Sequence, residues 1–394
     1  MKILLIELET KGHHISSYIR SIVHNLVSKN KGIILLTTPE IKNKDYYLYL
    51  KKNTKIIFAK KIKKPVNKNI ISLLKYQFNY YKLIKSEYLK IIKTNEIDLI
   101  YLNTLDFFDK SLAILGSPFG STKFLGLFLN PKFYDGYKNN IIKKKIYEYF
   151  FKKILKIKNL KEIFLIDPIC FNYLNKKKIK NWKKVNLLND LGSGNKIKEF
   201  RYSERKCRKI LGIERSKYVI LVYGYLRENK ALNQLFDVIN SIDDKNKVTI
   251  LLVGKRDNET RSLINNKIKT NTDLKNIIIN IDKYIDDLFE KIVFKASNLT
   301  WIGYKKTFNG SSGVFFLSSL NKRPVITSNH GVIGWYSKKF RIGVSIDLDN
   351  KNQLAKILNK LIKNKNKKIK YNFAHVNLKH SFSQFGHNIA KKIN

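Results

Sequence analysis

Short apolar runs alternate with longer amphipathic segments along most of this chain. Runs such as Ile3–Ile6 and Val248–Val253 have the length and composition of buried strands. Segments such as His14–Ser28 and Asn352–Ile362 instead repeat their apolar residues at helical spacing. A strand followed by a helix, many times over, is typical of a parallel sheet in which each helix leads to the next strand. The sequence therefore predicts an α/β protein with doubly wound parallel sheets.

A cluster of turn-forming residues interrupts this alternation near the middle of the chain, at Leu191–Asn195. Such a cluster is typical of a domain boundary, and 394 residues suit two domains of roughly 100–200 residues each. We predict one Rossmann-like domain over residues 1–194 and a second over 195–365. A tail over 366–394 is predicted to pack back across both domains. Ligands of such sheets bind at the carboxyl ends of the strands, so we expect the site in a central cleft between the domains.

The chain is strongly basic, with 78 Lys and Arg residues against 30 Asp and Glu residues and a net charge of +48. This excess favours anionic partners: a nucleotide, a nucleic acid or an acidic membrane surface. Asn, Ile, Tyr and Phe are also abundant, and they share AT-rich codons with Lys, so genomic base composition is a second explanation. The basic residues are spread along the chain and form no recognised nucleic-acid motif, which makes nucleic acid an unlikely partner.

The N-terminal run Ile3–Ile6 is followed at once by Glu7 and Glu9, which indicates a short buried strand and not a signal peptide. No run reaches the roughly 18–20 uncharged apolar residues of a membrane span. We therefore expect a cytoplasmic protein. A basic helix is predicted over Ile141–Lys156, and it would either lie on the anionic inner face of a membrane or pack as an ordinary surface helix. Its predicted apolar face holds Ile142, Ile146, Tyr149, Phe150 and Ile154.

Patterns typical of metal and cofactor sites are missing from the sequence. Cys170 and Cys207 are far apart, and neither belongs to a Cys-x-x-Cys pair. The chain has no His-Glu-x-x-His, Asp-x-Asp or P-loop pattern. We expect no bound metal and no cofactor.

Two segments of the second half resemble a known family. In the first, a strand leads into Gly224, followed by Leu226, Arg227 and Lys230. The second contains Trp301–Tyr304, Gly310–Gly313, Arg323–Ile326 and Asn329–Gly331. Their order and spacing resemble the donor-nucleotide domain of GT-B glycosyltransferases, especially the retaining family 4 group.

The similarity covers roughly Tyr218–Leu361, whereas the first half matches only in architecture. Tyr225 stands where the family usually has an arginine, and Gly310 and Ser318 stand where it usually has two glutamates. The resemblance implies a GT-B fold, two Rossmann-like domains facing a cleft. It also implies a metal-independent hexosyltransferase that moves a sugar from a UDP-linked donor in the C-terminal domain. The expected acceptor is a glycan or lipid-linked molecule in cell-surface polysaccharide synthesis.

The expected donor site combines a helix start with nearby cations. Ser311, Ser312 and Gly313 precede an apolar helix, whose free N–H groups and dipole suit a phosphate; an N-cap without a ligand is the alternative. Arg227 and Lys230 are expected to stabilise the leaving nucleoside diphosphate. The remaining predicted donor-binding residues are Arg256, Tyr304, Asn329, His330 and Gly331.

The expected acceptor and catalytic residues follow the first and fourth strands. Gly12 is expected to contact the acceptor, and His13 or His14 to act as general base or to bind the donor sugar. Asn103 is a candidate acceptor ligand and Asp106 a candidate base, or both belong to an Asx turn. Two other functions stay open: a nucleotide-sugar epimerase of the same fold, and a non-catalytic protein that binds nucleotide or nucleic acid.

Overall fold

The computed structural model describes residues 1–10, 12, 14–29, 31–66, 69–131, 133–134, 141–192, 200–365, 367 and 369–393. The chain divides into two compact units. Unit 1 contains Met1–Gly194 together with His380–Asn394, and unit 2 contains Asn195–Lys379.

Unit 1 is built on a parallel sheet, to which the described part of the chain contributes seven strands. They are β1 (Lys2–Ile6), β2 (Gly32–Thr37), β3 (Lys55–Phe58), β4 (Leu99–Leu102), β5 (Lys123–Phe128), β6 (Leu160–Leu165) and β7 (Val185–Leu187). Their order in the sheet is β3-β2-β1-β4-β5-β6-β7. The connections leave β1 in opposite directions, so this is the doubly wound topology that the strand and helix alternation predicted.

Helices cover both faces of this sheet. They are α1 (Arg20–Val27), α2 (Tyr47–Asn53), α3 (Ile70–Ile92), α4 (Asp109–Leu115), α5 (Ile141–Leu155) and α6 (Pro168–Lys177). A π-helical segment (His14–Ile19) leads into α1, and short 3₁₀ segments cover Pro39–Asn43 and Trp182–Lys184. Successive side chains of a strand point to opposite faces, so Ile3 and Leu5 join the core on the α1 side, whereas Leu4 and Ile6 join the core on the α3 side.

Unit 2 repeats this plan with six strands in its described residues. They are β8 (Tyr218–Tyr223), β9 (Val248–Val253), β10 (Ile278–Ile281), β11 (Leu299–Ile302), β12 (Val325–Ser328) and β13 (Gly343–Ile346). They run parallel in the order β10-β9-β8-β11-β12-β13. The α/β fold class with two doubly wound sheets is thus confirmed.

The helices of unit 2 follow its strands. They are α7 (Glu204–Ile210), α8 (Leu232–Ile239), α9 (Asn258–Thr270), α10 (Thr272–Ile277), α11 (Asp287–Ala296), α12 (Gly313–Leu320), α13 (Gly331–Phe340), α14 (Lys351–Lys363) and α15 (Phe373–Lys379). The 3₁₀ segments are Glu228–Lys230 and Lys245–Lys247. Side-chain caps fix several helix starts: Asp257 accepts from the Thr260 amide, and Asp286 from the Phe289 amide. The second cap fixes the start of α11 at Asp287.

The C-terminal segment contributes to both units. Helix α15 packs against α12 and α13 within unit 2, and the last helix, α16 (Phe382–Ile393), packs against α1 within unit 1. Gly386 permits the close approach of α16, because a Cβ atom there would lie 2.1 Å from the Ser21 carbonyl oxygen. Phe385 stacks on Tyr18 with a centroid separation of 4.9 Å.

Two helices differ from the sequence prediction. Helix α13 was not predicted: its buried residues do repeat at helical spacing, but Gly331 and Gly334 are poor helix formers. In α5 the predicted apolar face is wrong in part. Ile154 is buried together with Phe151, whereas Ile146 and Tyr149 are exposed. Ile142 is exposed as well. Among the described residues, none of the helices combines the length and apolar composition that crossing a membrane requires.

Candidate functional site

The strand order of unit 2 places a crevice between β8 and β11. The connections from these two strands run to opposite sides of the sheet, and ligands of open α/β sheets bind at the carboxyl end of such a switch point. The two segments that resemble the glycosyltransferase donor domain both contribute residues to this edge of the sheet. The turn after β8 carries Arg227 and Lys230, and the loop after β11 carries Tyr304.

Lys230 is held in place by the backbone around it. Gly224 begins the turn with a φ of +99°, a conformation that suits glycine, and the buried Leu226 anchors the turn through its amide to the Lys255 carbonyl (2.9 Å). The Lys230 carbonyl oxygen accepts a hydrogen bond from Trp301 Nε1 (3.4 Å). Lys230 is only 6% exposed.

The Lys230 ammonium lies against an aromatic ring and not beside a carboxylate. Its Nζ is 4.8 Å from the centroid of Tyr304, whose hydroxyl donates to Ser312 Oγ (3.0 Å). Tyr304 stacks on Phe308 at a centroid separation of 4.0 Å. Within the described part of the chain, no acidic side chain forms an ion pair with Lys230. A buried cation without a protein counter-charge is costly, so this arrangement suits an anionic ligand.

The start of helix α12 lies beside this cation. Ser312 is the N-cap residue, but its hydroxyl accepts from Tyr304 and caps none of the first amides of the helix. Ser311 Oγ is buried and has no hydrogen-bond partner among the described residues, and the same is true of Asn309 Nδ2. Buried polar atoms are normally satisfied, so these two are candidate ligand-binding groups. Gly313 is the first residue of the helix.

The loop after β12 is tied to the same region. His330 Nε2 lies 3.1 Å from the Lys305 carbonyl oxygen, and the Val332 amide donates to the Asn309 carbonyl (3.1 Å). Gly331 has a φ of +62°, and a Cβ atom there would lie 2.8 Å from Asn309 Cα. Asn329 is exposed next to these residues. The structure thus gathers the predicted residues of three loops at one edge of the sheet.

The side chains of the two predicted arginines contact other residues than Lys230 does. Arg227 is exposed and lies over the Tyr225 ring, 4.8 Å from its centroid. Arg256 is buried after β9 and forms an ion pair with Asp282, with 3.3 Å between Nε and Oδ1. Burial lowers the pKa of Arg256, and the charge of Asp282 opposes that shift. Despite this ion pair, Arg256 Nε and Nη2 are buried without a hydrogen-bond partner among the described residues, and its role in donor binding stays a prediction.

The positions where family 4 enzymes usually have glutamates hold small residues. Ser318 is buried within α12 and donates to the Val314 carbonyl oxygen (2.7 Å). Gly310 lies against the Phe308 ring. Neither residue brings a carboxylate to this edge of unit 2.

A second cluster lies at the switch point of unit 1, between β1 and β4. Glu7 follows β1 and is 1% exposed. Its Oε2 accepts from Asn103 Nδ2 (2.7 Å) and Thr104 Oγ1 (2.7 Å), and lies 3.1 Å from His14 Nδ1. Its Oε1 accepts from the Glu9 amide (2.7 Å). Of the predicted residues, His14 and Asn103 are therefore brought together around a carboxylate.

The other predicted residues of unit 1 have different surroundings. Both oxygens of Asp106 accept backbone amides, from Leu129 and Asn130 at 2.8 Å each, which anchors the loop after β5. Burial raises the pKa of Asp106 to about 6 despite these bonds. Gly12 precedes the cluster with a φ of +70°. His13 lies outside the described residues.

Sequence reasoning missed Glu7, Thr104 and Asn309. A usable signal existed for the first two, since Glu7 directly follows β1 and Thr104 lies two residues after β4. Polar residues at the carboxyl ends of strands next to a switch point are candidate ligand groups. Asn309 had no such signal, because its burial depends on the backbone of the loop after β12.

No protein-family model matches the chain, and no curated protein does. Solved structures do match over nearly its whole length. HepE from Anabaena in complex with UDP has a TM-score of 0.66 at 14% identity, covering 100% of this chain and 99% of that one. Sucrose-phosphate synthase from Thermosynechococcus elongatus has a TM-score of 0.67 at 14% identity, covering 99% and 94%.

WaaG, a glycosyltransferase involved in lipopolysaccharide biosynthesis, has a TM-score of 0.61 at 10% identity, covering 99% of this chain and 95% of its own. At identities this low, the structural similarity shows a common fold alone. Two parallel sheets with helices on both faces, matched over the whole chain, show that this protein has the GT-B fold of the glycosyltransferases.

Proposed function

We propose that this protein is a glycosyltransferase that moves a sugar from a nucleoside-diphosphate sugar, UDP-linked, to a glycan or lipid-linked acceptor. Unit 2 holds the donor at the carboxyl ends of β8, β11 and β12. Unit 1 contributes the acceptor and catalytic residues. HepE with UDP and the other similar structures support a nucleotide-sugar donor, and the resemblance supports cell-surface polysaccharide as the product class.

The buried cation at Lys230 carries this proposal. It is only 6% exposed, it lies over Tyr304, and no described acidic side chain pairs with it. A diphosphate supplies the missing counter-charge and develops further negative charge as the sugar leaves. A fixed ammonium group stabilises that charge, and in this proposal the first amides of α12 bind the phosphates. We propose that the reaction needs no metal ion.

Thermal melting with nucleotides tests the donor site. We expect UDP to raise the melting temperature well above the effect of GDP, ADP or pyrophosphate at equal concentration, and equally with and without EDTA. A hundredfold excess over the dissociation constant corresponds to about 2.7 kcal/mol of added stability. Equal shifts with all four anions contradict a nucleotide site and show a response to the +48 charge.

Product analysis distinguishes glycosyl transfer from the alternative reaction, that of a nucleotide-sugar epimerase. With UDP-sugar and a mixed glycan acceptor, transfer gives UDP and an extended acceptor. A hydrolysing epimerase uses water to cleave the bond to UDP, so it releases UDP and a free epimeric monosaccharide and leaves the acceptor unchanged. Detection of the extended acceptor by mass spectrometry supports the proposed function, and its absence with every donor that binds contradicts it.

Helix α5 is our proposed contact with an anionic membrane surface. Ile146 is 48% exposed and Tyr149 is 55% exposed, one helical turn apart, and lysines flank them. Apolar side chains beside cationic ones suit an interface of acidic headgroups over acyl chains. We expect the protein to float with vesicles of phosphatidylcholine and phosphatidylglycerol, and not with phosphatidylcholine alone.

The double variant Ile146→Ser/Tyr149→Ser tests this contact. Since both side chains are exposed, folding is preserved, and we expect vesicle binding to fall about tenfold, from the loss of buried apolar area. Leu288→Ser in α11 of unit 2 is the matched control, because Leu288 is 53% exposed and lies in the other unit. Equal losses in both variants contradict a specific role of α5.

A further inference from the structure

A cavity at the carboxyl ends of β2 and β3 in unit 1 shares no residue with the two clusters described above. It is lined by Pro39, Glu40, Asn43, Ala59, Lys60 and Lys61. The two lining segments meet because their strands are neighbours in the sheet, and the Ala59 amide donates to the Thr37 carbonyl oxygen (2.7 Å). The cavity has a volume of about 500 Å³, within the range of roughly 300–1,000 Å³ that is usual for ligand pockets.

The 3₁₀ segment Pro39–Asn43 brings a fixed carboxylate to this cavity. Glu40 Oε1 lies 2.7 Å from Lys61 Nζ. The hydrogen bond with Lys61 lowers the pKa of Glu40 to about 2, so the carboxylate is ionised at neutral pH. Glu40 Oε2 is buried and has no hydrogen-bond partner among the described residues, and the same is true of Thr38 Oγ1. Buried oxygens are normally satisfied, so Glu40 Oε2 is a candidate acceptor for a hydroxyl group of a ligand.

The segment after β3 contributes a cation without a protein counter-charge. Lys60 is exposed, and none of the described acidic side chains forms an ion pair with it. The residues that follow it are held at two points, because Lys61 pairs with Glu40 and Lys64 pairs with Glu9. Lys60 therefore belongs to a segment whose position is fixed, and its ammonium group is available to an anionic group of a ligand.

We propose that this cavity binds a sugar that carries an anionic substituent, either a carboxylate or a phosphate. Lys60 binds the anionic group, whereas Glu40 and Asn43 bind hydroxyl groups of the sugar ring. Pro39 and Ala59 provide apolar surface for the C–H groups of the ring. The Glu40 carboxylate repels a bare inorganic anion, so the site favours a ligand that presents hydroxyl groups to it. This inference goes beyond the proposed function, because the site lies in unit 1 and its ligand binds whether or not a sugar is transferred.

Saturation-transfer nuclear magnetic resonance of the full-length protein tests the ligand class, at about 0.15 M salt to screen exposed charges. The probes are methyl glucuronide, glucose 6-phosphate and uncharged methyl glucoside, with inorganic phosphate added as a competitor. We expect one of the two acidic sugars to bind at least tenfold more tightly than methyl glucoside, and the tighter one identifies the anionic group. Absence of binding by both acidic sugars, equal binding of methyl glucoside, or displacement by an equal concentration of phosphate overturns the proposal.

Two lysine variants locate the binding site. We expect Lys60→Met to weaken binding of the acidic sugar by about tenfold, the usual effect of losing one charged contact. Lys63→Met is the matched control, because Lys63 is also exposed on the segment after β3 but does not line the cavity. Equal losses in both variants show a response to net charge and overturn the proposal.

Two further variants separate this site from the donor site and test the carboxylate. We expect Lys230→Met, in unit 2, to bind the acidic sugar as the unmodified protein does, and loss of binding in this variant places the sugar at the donor site and overturns the proposal. In Glu40→Gln we expect weaker binding of the acidic sugar and stronger competition by phosphate, since the repelling charge is removed. Unchanged selectivity between the sugar and phosphate in Glu40→Gln contradicts the role of the carboxylate.

Discussion

Replacement of Lys230 by methionine should abolish the response to UDP without destabilising the protein. Lys230 is 6% exposed and has no acidic partner among the described residues, so its ammonium contributes little to folding. Methionine keeps the length and the contact with Tyr304, and removal of an unpaired buried charge leaves stability unchanged or raises it by about 1 kcal/mol. The lost contact to phosphate should weaken UDP binding by thirtyfold or more, roughly 2 kcal/mol.

Melting curves and calorimetric titration with UDP measure the two effects separately. Lys255→Met is the matched control. Lys255 follows β9, is exposed, and also lies over a tyrosine, with 5.6 Å between its Nζ and the Tyr284 centroid. Its loss removes the same charge from the same unit, and we expect UDP affinity to change by less than about twofold because exposed charges are screened. If both variants bind UDP equally, Lys230 is not the phosphate ligand, and if Lys230→Met unfolds the protein, the expected neutral effect on stability is wrong.

Gly254→Ala should strongly destabilise unit 2, although it adds only one methyl group. Gly254 has a φ of +127°, and a Cβ atom there would lie 2.0 Å from the Gly224 carbonyl oxygen. That contact is between backbones, so no side chain can move aside to relieve it. We expect a loss of about 3 kcal/mol or more, from steric overlap added to an unfavourable backbone conformation. The turn that carries Lys230 shares this contact, so the UDP response should disappear too.

Gly212→Ala separates the steric effect from the conformational one. Gly212 also lies in unit 2 and has a φ of +65°, but no atom lies within 4 Å of the position of its Cβ atom. We expect this variant to lose only about 1 kcal/mol, the usual cost of a left-handed residue with a side chain. Urea denaturation followed by circular dichroism compares the two variants. Similar midpoints for both would show that the turns after β8 and β9 are too far apart for a Cβ atom at Gly254 to overlap with Gly224.

Much of the fold was predictable because the pattern of apolar residues within one segment indicates which of its side chains are buried. The strands Lys2–Ile6 and Val248–Val253 match the apolar runs Ile3–Ile6 and Val248–Val253 that predicted them. An apolar run between turn signals is enough to identify a strand that is buried on both faces. Helix α13 was not predicted because Gly331 and Gly334 are poor helix formers, and the predicted apolar face of α5 was wrong in part because its exposed side chains include apolar ones.

For the predicted donor residues, the sequence indicated the residue types but not the contacts of their side chains. The motif residues Lys230, Tyr304 and Ser312 meet at one switch point, and their binding role stays a prediction for the UDP experiments. Arg256 was chosen for its charge, but only the structure shows that Asp282 already pairs with it. A sequence gives the type and order of side chains, whereas the availability of a charge depends on a partner distant in the chain.

By itself, the sequence determined the strand and helix alternation, the two-sheet α/β class and the loops in which ligand-binding residues occur. The tertiary structure decided which of those residues meet. Glu7, His14, Asn103 and Thr104 come from segments nearly a hundred residues apart and converge because β1 and β4 are adjacent in the sheet. Periodicity reports how each segment is buried, but strand adjacency arises from pairing between distant segments, and that pairing places a carboxylate beside the histidine.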